Sequence, residues 1–225
     1  MASGLRMATK HRYLNKLVAR SCNLKPALPE FCSALADNSL LLELDVSDND
    51  LGLEGAQQCG KTFEFNRTLR TLRVAGNQLT QNAVCALTCY LAESRGQQRD
   101  LHRIDVSRNC LGPSCVTEVL LPLLGFCHGL LSINLSSTAI GKEGISRLLE
   151  ELPAHFQELV LTGNLLTGMG KELMEFLRRT TSLRSLDISN SHLSAKDLDI
   201  LADGLTYQKS LSEQMPLEKL IYRDP

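Results

Sequence analysis

Residues 41–51 read Leu-Leu-Glu-Leu-Asp-Val-Ser-Asp-Asn-Asp-Leu, which follows the pattern L-x-x-L-x-L-x-x-N-x-L. The pattern returns at residues 69–79 and at 101–111, with Ile or Val at some of the leucine positions. Self-similarity at a fixed spacing, here about 28 residues, is the signature of a repeat architecture. The repeat therefore decides the fold before any single residue is considered.

Repeat units extend along nearly the whole chain. Six clear units, separated by steps of 28, 32, 29, 26 and 27 residues, begin at Leu41, Leu69, Leu101, Leu130, Phe156 and Leu183. A weaker unit begins at Leu14 and a partial one at Leu217. We therefore expect an N-terminal flank at residues 1–13 and one repeat domain at residues 14–225, with about seven repeats plus a partial C-terminal one.

Each unit is predicted to form one short strand and one helix. Apolar and polar residues alternate over residues 42–46, which is the period of a strand with one buried face. A turn and a helical stretch follow, for example at residues 81–93 and 171–180. Leu173, Phe176 and Leu177 recur there at helical spacing.

The asparagine of the repeat has a predicted structural role. Its side chain can satisfy backbone groups in the turn that leaves the strand, and stacked copies form a ladder. The ladder is predicted at Asn49, Asn77, Asn109 and Asn164, while Cys22, Thr138 and Ser191 hold the same position in the other units. Six residues further on, most units carry a small residue where the helix begins close to its neighbour, but Leu28 and Asp197 do not fit this rule.

These repeats resemble the leucine-rich repeat family, and within it the ribonuclease-inhibitor-like subclass with its long repeats. The resemblance covers roughly residues 14–224. It implies an α/β fold, namely a right-handed leucine-rich-repeat solenoid (horseshoe) with a concave parallel β-sheet and convex α-helices. Such stacks need a cap at each end, and neither end resembles one, so we expect part of a larger regulatory protein.

The subfamily is left open between four types. Residues 21–24 and 44–49 resemble the alternating repeats of NOD-like receptors, and residues 131–138 are closer to the capping-protein regulator and myosin linker family. The long step near residues 93–100 is similar to tonsoku-like scaffolds. Ran GTPase-activating proteins also belong to this subclass, although they carry an acidic tail and this chain ends in Arg-Asp-Pro.

Composition argues against several functions. With 24 basic and 25 acidic residues the net charge is −1, which gives no bulk attraction to nucleic acid or to anionic membrane. No signal peptide opens the sequence and no apolar run is long enough for membrane insertion, so cytoplasmic localisation is expected, with the nucleus possible. Cys32, Cys59, Cys85 and Cys89 fall on apolar helical positions and are expected to be reduced, buried residues.

One apparent catalytic motif is present. Residues 55–62, Gly-Ala-Gln-Gln-Cys-Gly-Lys-Thr, match the phosphate-binding pattern G-x-x-x-x-G-K-[ST]. A phosphate-binding loop follows directly on a buried strand, whereas here the strand ends near Val46 and the motif lies in the helix of the repeat. We interpret the match as chance. The histidines and cysteines lack zinc-ligand spacing, so neither a metal nor a cofactor is predicted.

The repeat register also predicts which side chains lie on the concave face. An acidic patch is expected from Glu43, Asp45 and Asp48. A basic patch is expected on the next two units, formed by Arg70, Arg73, His102, Arg103 and Arg108, with Asp105 beside it. Arginine is a frequent interface anchor, and Arg73 and Arg103 are the best candidates. From residue 130 onward the concave positions are mostly small or hydroxylated.

The sequence therefore predicts a non-catalytic protein-protein interaction scaffold that binds a protein partner through the concave face. Extended concave surfaces are what solenoids provide. No nucleic acid, metal or enzymatic activity is expected. The alternative is a GTPase-activating or other GTPase-regulating module of the Ran GTPase-activating-protein type, an expectation that follows from the resemblance.

Overall fold

The computed structural model describes residues 13–64, 66–92, 101–211 and 217–223. The predicted N-terminal flank up to residue 12 and the extended step at residues 93–100 lie outside the described residues. Eight short strands form one parallel sheet in which the order of the strands equals their order in the chain. They are β1 (Lys16–Val18), β2 (Glu43–Asp45), β3 (Thr71–Arg73), β4 (Arg103–Asp105), β5 (Ser132–Asn134), β6 (Glu158–Val160), β7 (Ser185–Asp187) and β8 (Lys219–Ile221).

The strands pair in the register of the repeat. Leu44 lies opposite Leu72, and Leu72 opposite Ile104, so that equivalent positions of successive units are neighbours. These central residues point into the core and are at most 2% exposed. The residues before and after them point to the other face of the sheet, as the two-residue period of a strand requires.

Helices cover the side of the sheet that carries the buried residues. They are α1 (Leu28–Ala36), α2 (Gly52–Thr62), α3 (Gln81–Ala92), α4 (Leu121–Phe126), α5 (Gly141–Glu151), α6 (Gly170–Arg179) and α7 (Ala195–Leu211). The helical stretches predicted near residues 81 and 171 are confirmed, and Leu173, Phe176 and Leu177 are buried. The result is an open sheet backed by one helix per unit, an α/β solenoid with a concave sheet and convex helices.

The fourth helix is irregular. A π-helix at Val116–Leu120 precedes α4, and the amide of Leu121 donates to the carbonyl of Val116. Pro122 follows immediately. A proline lacks the N–H that would bond four residues back, and its ring collides with that carbonyl. The wider π-turn accommodates this proline within the helical segment.

In five units the residue just after the ladder position is left-handed, at Asn23, Asp50, Gln78, Ala139 and His192, and every unit has a further left-handed residue. It lies immediately before the ladder position and has φ between 51° and 71° in all seven units, at Ser21, Asp48, Gly76, Arg108, Ser137, Gly163 and Asn190. The left-handed conformation costs a residue with a Cβ roughly 1–2 kcal/mol, and glycine, asparagine and aspartate tolerate it best. Six of the seven residues are small or have a short polar side chain, and Arg108 is the exception.

The phosphate-binding match at residues 55–62 lies within α2, as expected from the repeat. Gly60 packs against α3, where an added Cβ would lie 2.5 Å from the carbonyl oxygen of Ala86. Gly55 is also buried, with Leu28 of the preceding unit beside it. Both glycines are therefore explained by close packing, Gly55 against Leu51 and Leu28 and Gly60 against α3, and their amides belong to a helix rather than to a loop open to phosphate.

Candidate protein-binding face

The asparagine side chains connect neighbouring units through their backbones. Asn77 Oδ1 accepts a hydrogen bond from the amide of Asn49 at 2.9 Å, and its Nδ2 donates to the carbonyls of Val46 at 3.0 Å and Ala75 at 3.3 Å. Asn109 Oδ1 accepts from the amide of Asn77 at 2.9 Å in the same way. Each asparagine thus satisfies buried backbone groups of its own unit and of the preceding one.

The ladder is interrupted in the second half of the array. Asn164 still reaches the preceding unit, because its Nδ2 donates to the carbonyl of Leu135 at 2.8 Å. The hydroxyls of Thr138 and Ser191 instead donate to the carbonyls of Leu135 at 2.7 Å and Ile188 at 2.5 Å. These two hydroxyl bonds stay within one unit. The backbones of both residues still bond to neighbouring units, because the amide of Thr138 donates to Asn164 Oδ1 at 3.4 Å and the carbonyls of Thr138 and Ser191 accept from the amides of Leu111 at 3.0 Å and Leu166 at 2.9 Å.

The concave charges do not form separate acidic and basic patches, because ion pairs cross between units. Glu43 lies 2.9 Å from Lys16 Nζ of the preceding strand and 3.9 Å from Arg73 Nη1 of the following one. The pKa of Glu43 is lowered, chiefly by the hydrogen bond with Lys16. Arg103 pairs with Glu158 at 2.7 Å, across the intervening strand β5. The expected separation of the two signs is therefore wrong for these residues.

Asp48 is held by two arginines from different units. Arg20 Nε donates to Asp48 Oδ2 at 2.8 Å, and Arg108 Nη2 lies 2.8 Å from Oδ1 and 3.0 Å from Oδ2. Arg108 is two units from Asp48, and the pair passes over Gly76 between them. A Cβ on Gly76 would lie 2.3 Å from Asp48 Oδ1, so the missing side chain makes the contact possible. We call Arg20, Asp48 and Arg108 the arginine clasp.

The ion pairs of the clasp shift the pKa values of both partners but contribute little free energy to folding. The hydrogen bond from Arg108 is the main cause of the lowered pKa of Asp48, and the same contact raises the pKa of Arg108. Arg108 is about half exposed, at 47%, and exposed ion pairs contribute roughly 0.2–1 kcal/mol. That is less than the roughly 1–2 kcal/mol that the left-handed backbone costs a residue with a Cβ.

Two predicted site carboxylates have a role within their own turn. Asp45 Oδ1 accepts from the amide of Ser47 at 3.0 Å, and Asp105 Oδ1 accepts from that of Ser107 at 3.0 Å. These Asx-turns fix the chain as it leaves the strand. Arg70 is exposed at the rim of the face, and within the described residues no ion pair includes it.

The sequence prediction omitted three charged residues that complete these pairs. Lys16 and Glu158 occupy the same strand position as Glu43 and Arg103, and Arg20 lies two residues after the end of β1. The repeat register places all three on the concave face, although the predicted binding site did not include them. Which partner each one selects could not be found this way, because Arg103 and Arg108 reach across a whole unit.

Asp197, which did not fit the small-residue rule, caps two helices. Its carboxylate accepts from the amides of Gly168 at 2.9 Å and Gly170 at 3.2 Å, at the start of α6, and from the amide of Ser194 at 2.9 Å, before α7. Burial opposes the charge, but the hydrogen bonds from Ser194, Gly168 and Gly170 prevail and lower the pKa of Asp197 to about 2. The buried acid is thus structural.

The cysteine prediction is partly wrong. Cys32 and Cys59 are buried as expected, with their sulfurs 3.8 Å apart in adjacent units. Cys85 is exposed and Cys89 half-buried. Each lies two residues from the buried Leu87, which is about 200° around an α-helix, so both face away from the core. They line a shallow convex groove of about 180 Å³ beside Val119 and Phe126.

Across residues 13–64, 66–92, 101–211 and 217–223, no helix is both long and apolar enough to cross a bilayer. In the same residues, no group of three or more His, Cys, Asp or Glu side chains is placed to hold a metal ion.

Comparison with known sequences agrees with this architecture. The Leucine Rich repeat family pattern matches residues 37–57 and 65–85. Ribonuclease inhibitor from Sus scrofa is 32% identical over 92% of this chain and 46% of its own length. The human NACHT, LRR and PYD domains-containing protein 14 is 26% identical over 92% of this chain and 16% of its own length. The chain thus spans less than half the length of these relatives.

Solved structures show the same fold at low sequence identity. The Rad7 and Elc1 complex of yeast contains a chain that superimposes with a TM-score of 0.61 at 16% identity, covering 99% of this chain and 56% of that one. The leucine-rich repeat-containing protein LegL7 of Legionella pneumophila gives 0.51 at 16% identity, covering 98% and 87%. The chain belongs to the leucine-rich repeat family. Its long repeats and its relatives place it among the ribonuclease-inhibitor-like proteins.

Proposed function

We propose that this protein is a non-catalytic scaffold that binds a protein partner on the concave face of strands β1–β4. The observation that carries the proposal is the open sheet face itself. On these four strands and the turns that follow them, arginine and lysine side chains stand out from the sheet and are held only by exposed ion pairs. Such side chains can change partner at little cost.

Two further points support binding rather than catalysis. The apparent phosphate-binding motif lies within helix α2, and its two glycines are on the buried, closely packed face of that helix. The relatives are named for inhibition of a ribonuclease or for their domains, and an inhibitor of an enzyme binds a protein. For this chain we propose a protein ligand rather than nucleic acid, because the overall charge is close to neutral. We propose the cytosol or nucleus as the place where it acts.

Affinity capture from native cells tests the proposal. The Arg73→Ala/Arg103→Ala double variant removes two cations from the concave face, and Lys142→Ala/Arg147→Ala removes two from the convex helix α5 as a matched control. We expect partners captured by the wild type and by the control to be lost, or at least about tenfold weaker, with the concave variant. Each captured protein is then titrated in purified form.

Equal capture by both double variants and the wild type would remove β1–β4 as the binding face. Loss with the convex control alone would place the binding face on the helices. Circular dichroism of each variant separates a binding defect from a folding defect, since all four residues are solvent-accessible and their removal leaves the core intact.

A further inference from the structure

Arg108 occupies a backbone position that does not suit a long side chain. The equivalent residue is left-handed in every unit, and the other six are Ser, Asp, Gly or Asn. The exposed ion pair that Arg108 makes with Asp48 stabilises the protein by less than this backbone conformation costs. When a residue breaks a local rule without an offsetting gain in stability, a functional site is the expected reason.

The clasp has the geometry of an anion site that is already occupied. The guanidinium groups of Arg20 and Arg108 come from units separated by two others, and they converge on one carboxylate with contacts of 2.8–3.0 Å. Gly76 forms the floor beneath that carboxylate and contributes no side chain. Planar guanidinium groups suit carboxylates in this way.

We propose that Arg20 and Arg108 form a binding site for a carboxylate in an acidic segment of a protein partner, and that Asp48 occupies this site until the partner arrives. The proposal rests on the function proposed above and adds the chemistry of the partner. Asp48 serves as an internal substitute: it keeps the two arginines oriented, and an incoming carboxylate replaces it with little net change in solvation.

The neighbouring charges favour an acidic segment over a single acid. Glu43 is shared by Lys16 and Arg73 as Asp48 is shared by Arg20 and Arg108, so two carboxylates serve four cations. Both carboxylates belong to the second unit, and their four cations come from the first, third and fourth units of the same face. A partner with two or more spaced carboxylates therefore meets two groups that each hold two cations and one carboxylate, with Asp45 and Asp105 as further anions of the same face.

The test uses two fluorescein-labelled peptides, one of alternating Glu and Gly and one of alternating Gln and Gly, in fluorescence polarisation titrations at low salt. We expect the Glu peptide to bind and the Gln peptide not to bind. Asp48→Asn removes the internal competitor and is expected to tighten binding of the Glu peptide about two- to fivefold. Arg108→Gly is expected to weaken it by at least as much.

The variants distinguish binding from folding. Arg108→Gly places the preferred residue at a left-handed position, so its melting temperature is expected to equal or exceed that of the wild type. Arg147→Ala, which removes one cation from α5, is expected to leave the affinity unchanged. If the clasp were purely structural, Asp48→Asn would leave the affinity for the Glu peptide unchanged and would lower the stability of the protein.

Three results would overturn the proposal: equal affinity for the two peptides, unchanged or weaker binding by Asp48→Asn, or tighter binding of an oligothymidine that depends on Arg108. The last result would assign the site to phosphate. None of the three affects the broader scaffold function, which depends on capture through Arg73 and Arg103. If capture fails while the Glu peptide binds as expected, the scaffold proposal fails and the clasp remains.

Discussion

The two halves of the array differ in how their units are connected. Behind strands β1–β4, side chains of Asn49, Asn77 and Asn109 bond across every unit boundary, and long charged side chains cross the concave face in front of them. Behind β5–β8 the ladder position holds Thr138, Asn164 and Ser191. The side chain of Asn164 still reaches the preceding unit, whereas the hydroxyls of Thr138 and Ser191 donate to carbonyls of their own units. The first half thus has a bridging asparagine at each of its unit boundaries, whereas the second half has one such asparagine and the helix cap of Asp197.

The same repeat pattern therefore accommodates units with asparagine at the ladder position and units with a hydroxyl residue there. The buried leucines are the same throughout, so both halves stack in the same way. A rigid backbone ladder in the first half keeps the concave cations at fixed spacing, as a specific interface requires. The concave face of the second half carries more hydroxyl side chains, and its Glu158 pairs with Arg103 of the first half.

The largest expected effect comes from breaking the continuous ladder. Asn77→Ala removes the side chain that serves the amide of Asn49 and the carbonyls of Val46 and Ala75, and leaves these buried groups without it. We expect a loss of about 3–4 kcal/mol in the free energy of unfolding, measured with urea. Thr138→Ala, the matched change in the second half, is expected to cost only about 1 kcal/mol. Equal losses would mean that the two halves are joined alike.

The second largest loss of stability is expected from glycine substitutions where neighbouring helices pack closely. An added Cβ at Gly60 meets the carbonyl oxygen of Ala86 at 2.5 Å, and one at Gly204 meets the side chain of Met174 at 3.0 Å. Gly60→Ala is therefore expected to cost about 2–3 kcal/mol and Gly204→Ala less. Gly125→Ala, with open space around it, serves as the control and is expected to be neutral or stabilising. Thermal unfolding of the three variants checks this order.

Asp197 tests the claim that capping supports the second half. Because its folded pKa of about 2 lies below the ordinary 3.8, its contribution is complete above the ordinary pKa and is lost as pH falls through the folded value. We expect Asp197→Asn to lower stability by about 1–2 kcal/mol at neutral pH. Melting curves from pH 7 to pH 2 should converge with those of the wild type at the acidic end. A constant difference at all pH values would show that the charge is not the cause.

The smallest expected effect comes from extending the ladder. Thr138→Asn places an amide oxygen where it can accept from the backbone of Asn109, as Asn109 does for Asn77. We expect a gain of about 0.5–1 kcal/mol in the free energy of unfolding. A loss of stability would indicate that the fifth unit has no room for the amide.

These results also show which features a sequence can predict. The register of residues 41–51 predicts the strands, the buried leucines and the helix positions, because each follows from contacts with an adjacent unit. The clasp could not be predicted, since Asp48 and Arg108 meet across an intervening unit only because Gly76 has no side chain there. The exposure of Cys85 was missed because the apolar character of a residue does not fix its angle around the helix.

The most direct test of the central claim is a side-chain footprint of the bound partner. A partner obtained by capture is mixed with the wild-type protein, and hydroxyl-radical labelling is read by mass spectrometry with and without it. We predict protection of concave side chains on β1–β4, Arg73 and Arg103 among them, and unchanged labelling of the convex helices and of β5–β8. Protection confined to the helices or to β5–β8 would contradict the account.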